Sequence, residues 1–229
     1  MGNNFIKKIG EISKTKKSKI ILAIDEPEIN FDLLSSLEPY LVGFKIGAIP
    51  IISSSIKTKE LCEKFSDKLV LIADLKIADI PYISRKIGKM MKDLSFDAVI
   101  AHAFVGEDVL KELNDEIPTI AVVCMTNEGS YLLNENFRLL TQISNKLNLA
   151  GVVAPATKPD ILREVRKMTN LLIFSPGIGV QGMPYGSAIK NGANFEIIGR
   201  AILKSSDPLL EIKKAIKMME YEQNNRSID

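Results

Sequence analysis

The chain has one histidine, His102, and two cysteines, Cys62 and Cys124, with no short spacing between them. So few soft ligands exclude a His/Cys metal centre and leave no zinc site. A Ser-His relay is excluded as well, unless His102 serves it. Two lone thiols point to a reducing compartment, the cytoplasm. No apolar run approaches the ~20 residues that cross a bilayer, so no membrane segment is expected. The N-terminal stretch MGNNFIKKIGEISKTKKSK lacks the apolar centre of a signal peptide and is expected to form a solvated first helix and linker. Excess charge of one sign is missing too. With 30 basic residues against 28 acidic ones, nothing suggests a nucleic-acid or membrane-surface partner. Low-complexity segments and linkers are not evident, and the polar tail from about residue 221 is expected to fray.

What is present is apolar sequence, 46% of 229 residues, enough for one large core and a natural size match for one α/β barrel. Strands are expected over 20–24, 42–46, 69–75, 97–101, 118–124, 149–154, 171–175 and 194–198. Helices are expected from a cap at Asn30 to about 38, and over 50–65, 81–94, 107–113, 135–147, 159–168, 187–191 and 208–219. Eightfold strand–helix alternation implies a parallel sheet, and eight units close into a (β/α)8 TIM barrel spanning the whole chain as one domain. An open doubly wound sheet is the alternative. It usually has fewer strands and a glycine-rich turn after the first one, which this chain lacks.

The stretch Leu69 to Ile80, LVLIADLKIADI, begins as a strand buried on both faces and then acquires Asp74, Lys76 and Asp79. Strand alternation puts Asp74 and Lys76 on one face, Cα atoms roughly 6.6 Å apart, with Leu75 and Ile77 on the other. Taken alone, Asp-x-Lys reads as a structural ion pair where a strand meets solvent. The neighbours change that. Active sites of such barrels lie at the C-terminal strand ends. There the first strand supplies Asp25, the second Lys45 and the third Asp74 and Lys76, with Asp79 just beyond. Alternating carboxylates and ammoniums on three adjacent strands are hard to read as ordinary solvated ends, because unpaired buried charge is costly.

The opposite side of the rim reads as a phosphate site. After the seventh strand comes PGIGVQGMPYG, and after the eighth Gly199-Arg200. Glycines let backbone N–H groups approach an anion, Arg200 can grip two oxygens, and Gln181 adds an amide donor. The plainer reading is that the glycines only make tight turns. The loop is no dinucleotide fingerprint, because it follows the seventh strand. His102, at the end of the fourth strand, reads as a hydrogen-bonded structural residue rather than a base. Thr126 and Asn127, after the fifth, either touch a polar ligand or cap a loop.

These residues resemble the orotidine 5'-monophosphate decarboxylase family over nearly the whole chain: ILAID, KIG, ADLKIADIP, SPGIGVQG and IIGR. The Asp-x-Lys-x-x-Asp-Ile-Pro run is its most specific signature, and the short loop between strands seven and eight is most like the archaeal branch. The resemblance implies decarboxylation of orotidine 5'-monophosphate to UMP, the last step of pyrimidine nucleotide synthesis, with no metal and no cofactor. It implies that Asp25 and Lys45 bind ribose hydroxyls and hold the charge network. Asp74 would face the substrate carboxylate, and Lys76 would protonate C6. In a homodimer, Asp79 would reach the other subunit's ribose. Thr126 would contact the base, Pro176 would line the base end, and Gln181, Gly199 and Arg200 would hold the phosphate. The chain departs from the family at Thr126-Asn127-Glu128-Gly129, where a serine–histidine–proline–glycine run is common. It also has Ile83 where archaeal relatives have a threonine; Ser84 beside it would point elsewhere.

The residue types suit such chemistry. Loss of CO2 leaves charge in the ring plane, beyond the reach of the π system, and fixed charges must stabilise it. A carboxylate ~4 Å from the substrate carboxylate is repelled by about 4 kcal/mol at an effective dielectric near 20, a strain that vanishes with CO2. Two rivals remain. Magnesium-dependent sugar-phosphate decarboxylases or aldolases share the barrel and Asp-x-Lys-x-x-Asp, but carry a glutamate metal ligand where this chain has Lys45, whose ammonium would repel the ion. A non-catalytic nucleotide-binding barrel would have no use for a lysine between two aspartates.

Overall fold

The computed structural model describes residues 2–226, apart from the side chains of residues 3 and 226. Its elements run α1 Gly2–Lys16, β1 Ile20–Ile24, α2 Phe31–Leu37, β2 Gly43–Gly47, α3 Ala48–Ser53, α4 Ser55–Phe65, β3 Val70–Ile77 and α5 Pro81–Asp93. They continue with β4 Ala98–His102, α6 Glu107–Glu116, β5 Thr119–Val122, α7 Tyr131–Lys146, β6 Gly151–Val153, α8 Pro159–Met168, β7 Leu172–Ser175, α9 Ser187–Lys190, β8 Phe195–Ile198, α10 Arg200–Leu203 and α11 Pro208–Arg226. The strands pair in chain order and β8 returns to β1, closing a parallel barrel. Two short 3-10 turns, Glu38–Tyr40 and Ala103–Val105, lie between elements.

The strands are apolar on both faces because one face fills the barrel and the other meets the helices. Phe44 illustrates the outer face, its ring edge-on to Phe65 of α4 with centroids 5.1 Å apart. Helix α1 crosses the floor of the barrel. Lys8 bonds Asp97 just before β4, and Phe5 lies 6.4 Å from Phe174 of β7, which stacks on Phe195 of β8. The opposite end, where the strands finish, stays open.

Three differences from the expected pattern stand out. The helix anticipated over 50–65 is two helices. Ser54 is extended and its Oγ accepts from the Lys57 N–H, capping α4. Helix α11 continues to Arg226 instead of giving way to a frayed tail near 221, and the last three residues lie outside the described ones. Strand β3 continues to Ile77, but its register against β4 shifts between Ala73 and Ile77. That bulge falls on the charged segment.

Candidate active site

Register builds the charged half of the rim. Ala23 is level with Lys45, and Gly47 with Asp74, so three neighbouring strands bring their ends to one height. From β2, Lys45 reaches both ways: its Nζ donates to Asp25 Oδ1 at 2.8 Å and to Asp74 Oδ2 at 2.9 Å. Lys76 Nζ donates to both oxygens of Asp74 at 2.9 Å. The result is a chain of alternating charge, Asp25–Lys45–Asp74–Lys76. Its middle is buried, with Lys45 at 6% and Asp74 at 7% exposure, while the Lys76 side chain keeps 44% and faces the open mouth.

Burial opposes both inner charges, and the neighbours outweigh it. Asp74, then Asp25, hold the Lys45 ammonium above the ordinary lysine range. Lys45, then Lys76, hold the Asp74 carboxyl below the ordinary aspartate range. The pair therefore stays ionised where isolated charges would neutralise.

Regular strand alternation is not what joins Asp74 to Lys76. Lys76 has φ 45°, in the left-handed region, at the bulge. The distortion lets Lys76 fold back on Asp74, and it also brings Leu75 into the lining of the same cavity. Leu75 was expected on the other face; only Ile77 is fully buried away from the mouth.

The cavity over this charge chain measures about 510 Å³, a size that accepts a nucleotide-scale ligand. Asp25, Lys45, Asp74, Lys76, Thr126, Pro176, Gln181, Gly199 and Arg200 all line it, together with apolar Ile100, Val122, Val153 and Ile197 from the barrel interior. The two expected halves of the rim thus face each other across one space. Asp79 does not line it. It is exposed outside the cavity, and its Oδ1 accepts from the Ile80 N–H at the start of α5. Ser84 points away as anticipated, fully buried with its Oγ donating to the Asp79 carbonyl. His102 also lies outside the lining. Its ring packs 4.9 Å from Phe104, and its Nδ1 is buried without a hydrogen-bond partner, so the hydrogen bond expected of it is not made at that atom. Burial, then the Lys76 charge, push its pKa below the ordinary histidine value.

A family model described as "Orotidine 5'-phosphate decarboxylase / HUMPS family" matches residues 18–215. This chain belongs to that family. The curated orotidine 5'-phosphate decarboxylase of Thermoplasma volcanium is 36% identical over 201 residues, 86% of this chain and 90% of the relative. That of Thermococcus kodakarensis is 34% identical over 198 residues, 84% and 92% of the two chains. The crystal structure of orotidine 5'-monophosphate decarboxylase from Metallosphaera sedula superposes with a TM-score of 0.80 at 30% identity, covering 90% of this chain and 99% of its own. The Methanocaldococcus jannaschii enzyme, crystallised with the inhibitor BMP, gives 0.78 at 28% identity, covering 88% and 99%.

Within this decarboxylase framework two positions carry roles that single residues in the sequence did not announce. A β-carbon on Gly47 would lie 2.4 Å from Asp25 Oδ1, so the glycine of Lys-Ile-Gly makes room for that carboxylate. Asn134 of α7 accepts from both the Cys124 thiol, at 2.9 Å, and the Met125 N–H, at 3.0 Å, and so fixes the strand end that leads to Thr126. Gly47 could have been suspected from its place two residues past Lys45; Asn134 gave no signal. Among the described residues no cluster of three or more His, Cys, Asp or Glu side chains could hold a metal ion.

Proposed function

We infer that this chain decarboxylates orotidine 5'-monophosphate to UMP, the last step of de novo pyrimidine synthesis, without metal or coenzyme. The single observation carrying this reading is the Asp25–Lys45–Asp74–Lys76 chain, buried at its middle and opening its Lys76 end into the cavity. The C6–carboxylate bond breaks heterolytically, CO2 leaves, and the electron pair stays at C6 in the ring plane. The Lys76 ammonium stabilises that pair and transfers a proton to it, giving UMP, and solvent returns a proton to the amine. Asp74, held by two ammoniums, faces the departing carboxylate and repels it in the ground state.

Arg200, Gln181 and Gly199 take the phosphate, and Thr126 and Pro176 border the base. Contacts at the phosphate, far from C6, supply binding energy that orders the reacting end. Asp25 and Lys45 hold ribose hydroxyls. Asp79 serves the second active site of a homodimer. Its exposure outside its own cavity supports this, as do exposed Ile80 and Tyr82 beside it. The free, buried Cys62 and Cys124 fit a reducing cytoplasm, and no helix is long and apolar enough to cross a membrane among the described residues.

Lys45 separates this reading from that of the magnesium-dependent sugar-phosphate enzymes. Its ammonium occupies the place their metal ligand would need, between the two carboxylates. The test is the ultraviolet absorbance of orotidylate mixed with purified protein and excess chelator. Loss of the orotidylate signal at an undiminished rate is expected; a signal that stays constant, or turnover abolished by chelator, overturns the assignment.

A further inference from the structure

The phosphate half of the rim contains a second buried carboxylate, and the chemistry above does not use it. Glu196 of β8 is wholly buried. It faces away from the cavity, since its neighbour Ile197 lines that cavity. Among the described residues no cation pairs with it. Its partners are three backbone amides where the glycine loop ends: Gly186 N–H donates to Oε2 at 3.0 Å, and Ala188 and Ile189 donate to Oε1 at 2.9 and 3.4 Å.

The placement matters because of what lies on either side. The loop between β7 and Gly186 presents Gly177, Ile178, Val180 and Gln181 to the cavity. Its entry is fixed where the Ala156 N–H donates to the Pro176 carbonyl at 2.8 Å. Its turn is closed by Gly179 N–H to the Met183 carbonyl at 2.8 Å. At the exit, Gly186 has φ 84° and is packed against the Met218 carbonyl of α11, leaving no room for a β-carbon. Tyr185 beside it donates to Glu211 of α11 at 2.8 Å. The Glu196 carboxylate hydrogen-bonds that exit to β8, the strand that leads into Gly199 and Arg200, three and four residues on. A buried charge without a counter-ion is expensive to keep, and three amide donors compensate it only in this loop geometry.

We propose that Glu196 is a positioning residue for phosphate recognition: its carboxylate locks the exit of the 176–186 loop onto β8 and so fixes Gln181 and the loop amides relative to Arg200. The inference rests on the decarboxylase reading for the identity of the phosphate ligand. It predicts that Glu196 matters for the phosphate end of the ligand and not for the base or ribose.

The experiment is calorimetric titration of wild type and Glu196→Gln with UMP and with uridine. Glutamine keeps the shape but turns an amide N–H toward one of the backbone donors. Affinity for UMP should fall roughly tenfold or more while uridine affinity holds, so the UMP/uridine ratio collapses. Glu196→Asp, which keeps the charge one methylene short, reads the same ratio should the glutamine variant fail to fold. Equal losses for both ligands, or no loss for either, overturn the proposal. Orotidylate turnover by wild type, run alongside, reports on the decarboxylase reading separately, because the UMP/uridine ratio needs no chemistry.

Discussion

Asp74 and Glu196 are both buried carboxylates, one in each half of the same barrel rim, and burial pushes both toward the neutral acid. The outcomes are opposite. Asp74 has Lys45 and Lys76 in direct contact, and their charge carries its carboxyl below the ordinary range. Among the described residues Glu196 has backbone N–H groups from Gly186, Ala188 and Ile189 for partners, which offset the burial incompletely and leave its carboxyl pushed up to about 7. Full positive charges at about 3 Å override desolvation; amide dipoles do not. The half of the rim that must stay charged for chemistry is built from ion pairs. The half that must shape a loop is built from hydrogen bonds to main chain.

Lys76→Ala would break the contrast hardest. It removes the proton donor and one of the two cations holding Asp74, and turnover should fall by roughly four orders of magnitude or more with UMP still bound. Single-turnover orotidylate absorbance and a UMP titration check the two parts. Lys45→Ala tests the buried pair itself: Asp74 loses its innermost partner, and unfolding in urea should show a loss of about 3–5 kcal/mol. An ordinary surface-pair effect there would mean the pair is solvated.

On the other side of the rim, Arg200→Ala deletes a charge-assisted grip on phosphate and should weaken UMP binding by roughly 10- to 100-fold, leaving uridine binding alone. In Gly47→Ala the added β-carbon would collide with Asp25 Oδ1 and push that carboxylate aside, which should cost roughly tenfold in kcat/KM through misplacement of the charge chain.

The most diagnostic effect is in pH dependence. The raised Glu196 carboxyl makes the folded state hold an extra proton between the ordinary glutamate value of 4.5 and about 7. Its contribution to stability is therefore full below that lower value and disappears as pH rises through 7, a loss on the order of 3 kcal/mol. Asp74 has the opposite sign: its depressed value gives stability that is present above the ordinary aspartate range and lost as pH falls through the folded value. Urea midpoints across pH should show the decline between the ordinary glutamate value and about 7 flattened in Glu196→Gln and the acid limb unchanged. An identical slope in that window in both proteins would remove Glu196 as its source.

The strand order, the parallel barrel and the residents of the rim were legible in the sequence, because buried parallel strands are continuous apolar runs and their functional ends break those runs with charge. Asp25, Lys45, Asp74, Lys76 and Arg200 each stand at such a break. The period-two rule also put Asp74 and Lys76 together, but for a regular strand. In the structure a bulge and a left-handed Lys76 make the contact, and Leu75 joins the cavity as a result. Asp79 was legible as a signature residue, yet its position outside its own cavity depends on how α5 leaves the rim.

The sequence by itself determined which strands exist and which charges sit at their ends, since both follow from local periodicity. Tertiary structure alone decided that Gly47 leaves room for Asp25, that Asn134 holds the end of β5 and that Glu196 catches the exit of the phosphate loop. Those are contacts between separate segments, set by barrel register and loop path, and neither is encoded in the spacing of any one stretch.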